Sequence, residues 1–352
     1  MKNEQVRRIL IIRLSSMGDI ILTAPLIDLA AKTFPLARID FCTKEKFSYL
    51  VKSNPKIHKV IKADNDLEYS SLKELRLLIK MSSYNMIIDA HNNLRSVYLR
   101  FLQDAEVLKL NKHSIKKFLL VNFKLNLLKN AKPIIERYKS IISGFASQAD
   151  INNRSLPELL TNPVSERSID KMLLNLNLSK DTKLVCIPAV SGHFTKTYPA
   201  EYFAEIINRF PEGNAAFFLT GRGNDSENIR KIKELTPVKK VYDLCDRLEI
   251  DDLISLIKRC SLVICGDTGP MHIAEAFNIP VFMAAGSSVK EFGFYPQNEK
   301  AVVLENNELK CRPCSHYGRA KCPKGHFKCM MEITPDNILP AISQLFNKGI
   351  SS

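Results

Sequence analysis

The sequence predicts an α/β protein made of two doubly wound, Rossmann-like domains facing a central cleft. Three observations support that class. Short β-branched runs alternate with longer amphipathic segments along the chain, the pattern of parallel sheets covered by helices on both faces. The 352 residues exceed a single domain of roughly 100–200 residues. Prolines and polar residues gather at Leu156-Pro157 and Asn162-Pro163, where a linker divides the alternation into two series.

Residues 8–13, Arg-Ile-Leu-Ile-Ile-Arg, form a strand buried on both faces; a polar loop with Ser15, Ser16 and Gly18 follows, then an amphipathic helix over 19–34. Further strands are expected at 38–42, 59–61, 85–89 and 105–110, with helical spacing over 72–81 between two of them. The second series places strands at 183–188, 215–220, 241–244, 262–266 and 280–284. Helices are expected at 199–210, 226–235, 250–258 and 271–277. Ligands of such folds bind beyond the carboxyl ends of the strands, so the loops there carry the function.

Composition removes several classes. With 45% hydrophobic and 25% charged residues, the chain is neither disordered, collagen-like nor a coiled coil. Its longest apolar runs fall far short of the roughly 18 residues that cross a bilayer. The amino terminus lacks the apolar core of a secretory signal, so a cytoplasmic protein is expected. The net charge of +14 calls for an anionic partner: nucleic acid, membrane surface or phosphorylated substrate.

Two strand-to-helix loops hold the strongest chemistry. In Gly266-Asp267-Thr268-Gly269-Pro270-Met271-His272, Gly269 permits close approach of a ligand and Pro270 suits a first helical position. Free N–H groups then make an anion site, with the Thr268 hydroxyl and His272 beside it. The plain alternative is a capped helix whose Asp and Thr satisfy only their own backbone. In the first loop, Asp19 is either an N-terminal cap or a general base facing the cleft. Lys196, in the loop after the strand ending at Pro188, either neutralises a diphosphate or is solvated. Asp225 follows a glycine-bearing turn, as ribose-binding acids do. No Gly-x-Gly-x-x-Gly follows the first strand and no Walker lysine motif exists, which disfavours a dehydrogenase or a nucleotide triphosphatase.

Taken together, residues 9–25 (ILIIRLSSMGDIILTAP), residues 266–274 (GDTGPMHIA) and the spacing between them resemble glycosyltransferase family 9, the bacterial heptosyltransferases of the lipopolysaccharide inner core. The resemblance spans essentially the whole chain, and its first and last motifs are the specific ones. It implies a GT-B fold with an acceptor-binding domain over 1–160, a nucleotide-sugar domain over 161–334, and, within 335–352, a last helix at about 335–347 packing back across the domains. It implies an enzyme that transfers heptose from ADP-heptose with inversion, needing no cofactor for the chemistry, with Asp19 as general base. Ser191 and Lys196 fall on diphosphate-binding positions and Asp225 on the ribose position, with Glu227 as its substitute. Asp267, Thr268, Gly269 and His272 fall on the nucleotide-sugar loop, and Leu248 on the adenine pocket. Acceptor binding is expected at Ser15, Ser16 and Gly18, and at His91 and Arg95 after the fourth strand. There Arg95 either contacts an acceptor phosphate or carboxylate or is tied to a neighbouring helix.

Two features lie outside that pattern. Between residues 109 and 139, eight lysines and Arg137 face the single acid Glu136, with Phe118, Leu119, Leu120 and Phe123 interleaved. This reads as a surface for anionic lipid at the inner leaflet, making the enzyme peripheral at the inner membrane, or as a solvated helix face. Cys311-x2-Cys314-x7-Cys322-x6-Cys329 has the spacing of a structural zinc site, with His316 or His326 as substitutes, in competition with paired or free thiols. Cys42, Cys186, Cys245, Cys260 and Cys265 lie singly in apolar segments and are expected to be core thiols. Two other functions stay open: a glycosyltransferase of the same fold with another nucleotide sugar, and a basic zinc-containing nucleic-acid-binding protein. The second leaves the paired loops unexplained, so no nucleic acid is expected as partner.

Overall fold

The structure is a computed structural model that describes residues 3–211, 213–223 and 226–347. The chain divides into two compact units: residues up to His113 with Lys132–Leu160, and Ser114–Ala131 with Thr161 onward. Each is an α/β unit, and together they make the GT-B architecture of two Rossmann-like domains.

The first unit holds β1 (Arg8–Ile12), β2 (Arg38–Lys44), β3 (Ile57–Ala63), β4 (Met86–Asp89) and β5 (Glu106–Lys109) in the order β3-β2-β1-β4-β5. Every pairing is parallel; Ile9 lies opposite Ile39 on one side and Met86 on the other. Burial of Ile9, Leu10, Ile11 and Ile12 together explains why β1 is a continuous apolar run, since helices cover both faces. The helix expected over 19–34 is two helices, Met17–Ile21 and Ala24–Thr33. Thr23 breaks them by turning its hydroxyl onto the Ile20 carbonyl, and Pro25 starts the second.

The second unit holds β6 (Lys183–Pro188), β7 (Ala215–Thr220), β8 (Val241–Asp243), β9 (Leu262–Cys265), β10 (Val281–Ala285) and β11 (Ala301–Glu305), ordered β11-β10-β9-β6-β7-β8 and all parallel. Edge strand β11 was not expected from the sequence. Phe203, Phe217, Phe282 and the last helix's Ile338 and Ile342 share its core. A helix, Pro163–Asn175, starts inside the expected linker because Asn162 accepts the Val164 N–H and Pro163 tolerates the first turn. Residues 114–131 group with this unit rather than with the flanking chain, since Leu120 and Leu128 pack on Phe292.

In both sheets the strand order reverses once, between β1 and β4 and between β6 and β9. Ligand sites of open parallel sheets lie outside the carboxyl ends of the strands at such reversals. The loops there carry Asp19 and His91 in the first unit, and Lys196 and Asp267 in the second.

Candidate active site

Beyond β1 the Asp19 carboxylate is surrounded by donors. The Arg13 guanidinium lies 2.6 Å from Oδ1, and the Tyr138 hydroxyl donates to the same oxygen at 3.0 Å. Ser16 donates its hydroxyl to Oδ2 at 2.7 Å and its backbone N–H at 3.2 Å. Asp19 is therefore both a helix cap and the centre of a buried ionic cluster. Burial pushes the Asp19 carboxyl up, but Arg13 and the hydrogen bonds from Ser16 and Tyr138 outweigh it and hold it at about 2. Arg13 is itself fixed by donating to the Ala90 carbonyl at 2.7 Å and by lying over the Tyr138 ring.

Beyond β4, Asp89 is wholly buried and accepts from the backbone of His91 and Asn92, from the Ser96 hydroxyl and from Arg100. Arg100, not Arg95, makes the tie to the protein; the Arg95 side chain is exposed. His91 is buried beside Ser15. Burial, then Arg13 and Lys112, drive its imidazole down to about 3, so it is neutral near pH 7. Gly18 is buried under the loop, while Ser16 is exposed. The structure thus brings Ser15, Ser16, Gly18, Asp19 and His91 to one place and leaves Arg95 on the helix flank.

In the second unit, Lys196 Nζ lies 2.8 Å from Asp267 Oδ2. Burial pushes the Asp267 carboxyl up, but Lys196 foremost, with Ser288 and His272, lowers it below the ordinary carboxylate range. Lys196 uses one of its three N–H donors here, and the others have no hydrogen-bond partner among the described residues. The helix Gly269–Ala276 begins at Thr268, whose side chain makes no capping bond, with Pro270 in the first turn. Asp267 and Thr268 therefore do not spend their side chains on capping; Pro270 has no N–H and the Met271 N–H goes to the Thr268 carbonyl at 3.3 Å, so of the first three helical residues Gly269 alone presents an N–H to an anion. The buried His272 ring is fixed by Nδ1 at 2.9 Å from Glu275, which also accepts the Gln297 N–H.

Ser191 shapes the loop: its hydroxyl donates to the Lys196 carbonyl at 3.0 Å and its N–H to the Thr197 hydroxyl. Close approach of chains occurs at Gly266, one residue before the acid: a Cβ there would stand 2.0 Å from the Lys196 carbonyl oxygen. Leu248 is half-buried near the β7 and β8 ends, where Arg222 donates to its carbonyl at 3.3 Å. Asp225 lies outside the described residues; Glu227 is exposed in the first turn of the helix Ser226–Glu234.

The four clustered cysteines are unpaired. Among the described residues no group of three or more His, Cys, Asp or Glu side chains is placed to hold a metal ion; Cys311 Sγ lies 3.9 Å from His326 Nε2. The basic run is not one solvated face: Lys117 meets His316 at 2.7 Å, Lys124 donates to three carbonyls, and Arg137 and Lys139 are buried. Among the described residues, no helix is long and apolar enough to cross a membrane.

Sequence reasoning missed Arg13 and Tyr138. Arg13 ends the run over residues 8–13, and an arginine directly after its apolar residues was the available signal. Nothing local marks Tyr138, which is 119 residues from Asp19.

Known proteins resemble this chain in sequence and in fold. The model of a family described as "Glycosyltransferase family 9 (heptosyltransferase)" matches residues 73–324. Lipopolysaccharide heptosyltransferase 1 of Campylobacter coli is 27% identical over 96% of this chain and 99% of its own length. Among solved structures, a glycosyl transferase family 9 protein from Veillonella parvula superposes with a TM-score of 0.80 at 19% identity, covering 99% of this chain and 98% of that one. The E. coli ADP-heptose lps heptosyltransferase II gives 0.72 at 18% identity, with 98% and 100% coverage.

Proposed function

Because the chain belongs to glycosyltransferase family 9, the heptosyltransferase family, and is a glycosyltransferase, we propose that it transfers heptose from ADP-heptose to a lipopolysaccharide core acceptor, inverting the anomeric carbon. The observation that carries this reading is that each unit places a charged site at its own sheet's strand-order reversal. One holds an ionised carboxylate amid hydroxyl donors; the other holds a lysine and a helix N-terminus suited to a diphosphate.

In the proposed reaction the acceptor oxygen bonds to the anomeric carbon as the bond from that carbon to the diphosphate breaks, and the electron pair leaves with ADP. Lys196, the Gly269 N–H and the Thr268 hydroxyl stabilise the charge that develops on the leaving group. The acceptor proton passes to Asp19 Oδ2. A carboxylate held near 2 is a weak base, but its ionised form is complete at neutral pH. Proton transfer to it follows bond formation, when the attacking oxygen is strongly acidic. All four donor contacts on Asp19 are made by the chain itself. The acceptor hydroxyl takes the place of the Ser16 hydroxyl, the exposed and rotatable one of the four.

Ser191 holds the Lys196 loop, and Asp267 orients Lys196. His272 is assigned to the diphosphate, Leu248 to the adenine, and Asp225 or Glu227 to the ribose. Ser15, Gly18, His91 and Arg95 are assigned to the acceptor. The four cysteines as placed do not fit a metal, and no step is routed through one. Exposed Ile115, Phe118 and Phe123 beside Lys116 on the helix Ser114–Phe123 support a peripheral position on the anionic cytoplasmic face of the inner membrane. Co-sedimentation with anionic but not neutral vesicles is expected; no sedimentation with either would remove that assignment.

Donor identity is tested by thermal stabilisation with nucleotide diphosphates followed by turnover. ADP should raise the melting temperature where UDP and GDP do not, and ADP-heptose should release ADP only when acceptor is present. Equal stabilisation by UDP or GDP would overturn the donor assignment.

A further inference from the structure

Residues 309–331, which contain the cysteine cluster, take no part in the chemistry above. They contain one short helix, Lys328–Met331. Much of their polar bonding goes to two neighbouring segments, residues 285–288 and the loop 191–197 that carries Lys196. We propose that this cysteine-rich segment is the positioning frame of the diphosphate loop and so sets the affinity for the nucleotide diphosphate of the donor. The proposal rests on the reading of Lys196 as a diphosphate ligand.

Three contacts meet the loop residue by residue, immediately before Lys196. His193 packs on Gly318, whose φ is +109° and where a Cβ would lie 2.6 Å from the His193 Cβ. The ring of Phe194 stacks on Phe327 with centroids 4.5 Å apart. Thr195 is buried and bonds the Arg319 backbone in both directions: its N–H donates to the Arg319 carbonyl at 3.1 Å, and its hydroxyl accepts the Arg319 N–H at 2.9 Å. Phe327 itself has φ +47°, a left-handed conformation unusual for a side chain of that size. The segment thus holds a strained residue where its ring meets the loop.

The frame is anchored on its far side. Arg312 donates to the carbonyls of Ala285, Gly286 and Ser288 and pairs with Glu305 at 2.9 Å. Lys124 donates to the carbonyls of Cys311 and Pro313 at 3.1 and 2.6 Å. The same 285–288 stretch closes on the loop, with Ser287 donating its N–H to the Thr195 carbonyl and accepting the Thr195 hydroxyl. Lys196 is therefore placed by a chain of contacts running from Arg312 and Lys124 through residues 318–327, and the loop has little room to shift against Gly266.

Calorimetric titration of the full chain with ADP, combined with steady-state kinetics, tests the frame. Phe327→Ala and Gly318→Ala should each weaken ADP binding about 3–10-fold, the range that loss of an aromatic pair or a forced shift of one loop produces. Donor KM should rise by the same factor, with kcat at saturating donor within about twofold and acceptor KM unchanged. Phe327→Leu should recover part of the affinity, and combining Phe327→Ala with Phe194→Ala should cost less than the two losses added. If Phe327→Ala melts without cooperativity, Phe327→Leu and Gly318→Ala carry the test. Cooperatively folded Phe327→Ala and Gly318→Ala proteins that bind ADP like the wild type would overturn the frame. Lys196→Ala is the reference arm: it should weaken ADP more than either frame variant. Wild-type binding by Lys196→Ala would instead remove the reading on which the frame rests.

Discussion

Asp19 shows how a residue legible in the sequence acquires its chemistry from residues that are not. Its position after a strand and a serine pair marks it as cap or base, and it is a cap as well as the centre of the cluster. Arg13, in the same loop, was readable as a charge but not as a partner, since spacing does not say which way a side chain turns. Tyr138 arrives from the far end of the unit and left no local signal. Removing its donor with Tyr138→Phe should weaken stabilisation of the ionised carboxylate and raise the Asp19 value. A hydrogen bond to a charged group is worth about 1.5–3 kcal/mol, so the acid limb of kcat/KM should move up by about one to two pH units. An unmoved limb in the pH profile would show that Tyr138 does not touch the base. The same linkage governs stability: Asp19 is depressed from 3.8 to about 2, so its contribution is present above about pH 4 and is lost as pH falls through the folded value.

At the level of elements, alternating β-branched and amphipathic runs revealed ten of the strands; β1, β2, β4, β6, β7, β9 and β10 are mostly buried, whereas β3, β5 and β8 are partly exposed. Edge strand β11, which was not foreseen, is only partly buried along its length. The break at Thr23 was hidden because the apolar spacing continues across it while Pro25 restarts the helix. In the second unit Gly266 is crowded by the Lys196 carbonyl, and only the meeting of two distant loops reveals it. Gly266→Ala places a methyl against the Lys196 carbonyl. It should destabilise the protein by about 1–3 kcal/mol, an overpacking cost, and weaken ADP binding by displacing the loop. Chemical denaturation and ADP titration check both, and a variant with unchanged midpoint and affinity would show that the loops part without cost.

For the molecule as a whole, length, proline positions and two sets of strands were enough to foresee two α/β units, but not that residues 114–131 would join the second of them. That assignment depends on Leu120 and Leu128 meeting Phe292, a long-range contact without a periodic signature. The +14 charge likewise overstates the free basic surface, because Lys117, Arg137 and Lys139 are buried and the exposed Lys124 is bonded to carbonyls of the chain. The central claim is that the two units divide the labour, Asp19 serving the chemistry and the Lys196–Asp267 loops binding the nucleotide. Asp19→Asn separates the two in one comparison of ADP affinity with heptosyl transfer. The account predicts ADP binding within about twofold of the wild type and transfer lowered by about 10²–10⁴, the usual worth of general-base assistance; retained transfer to the natural acceptor would contradict it.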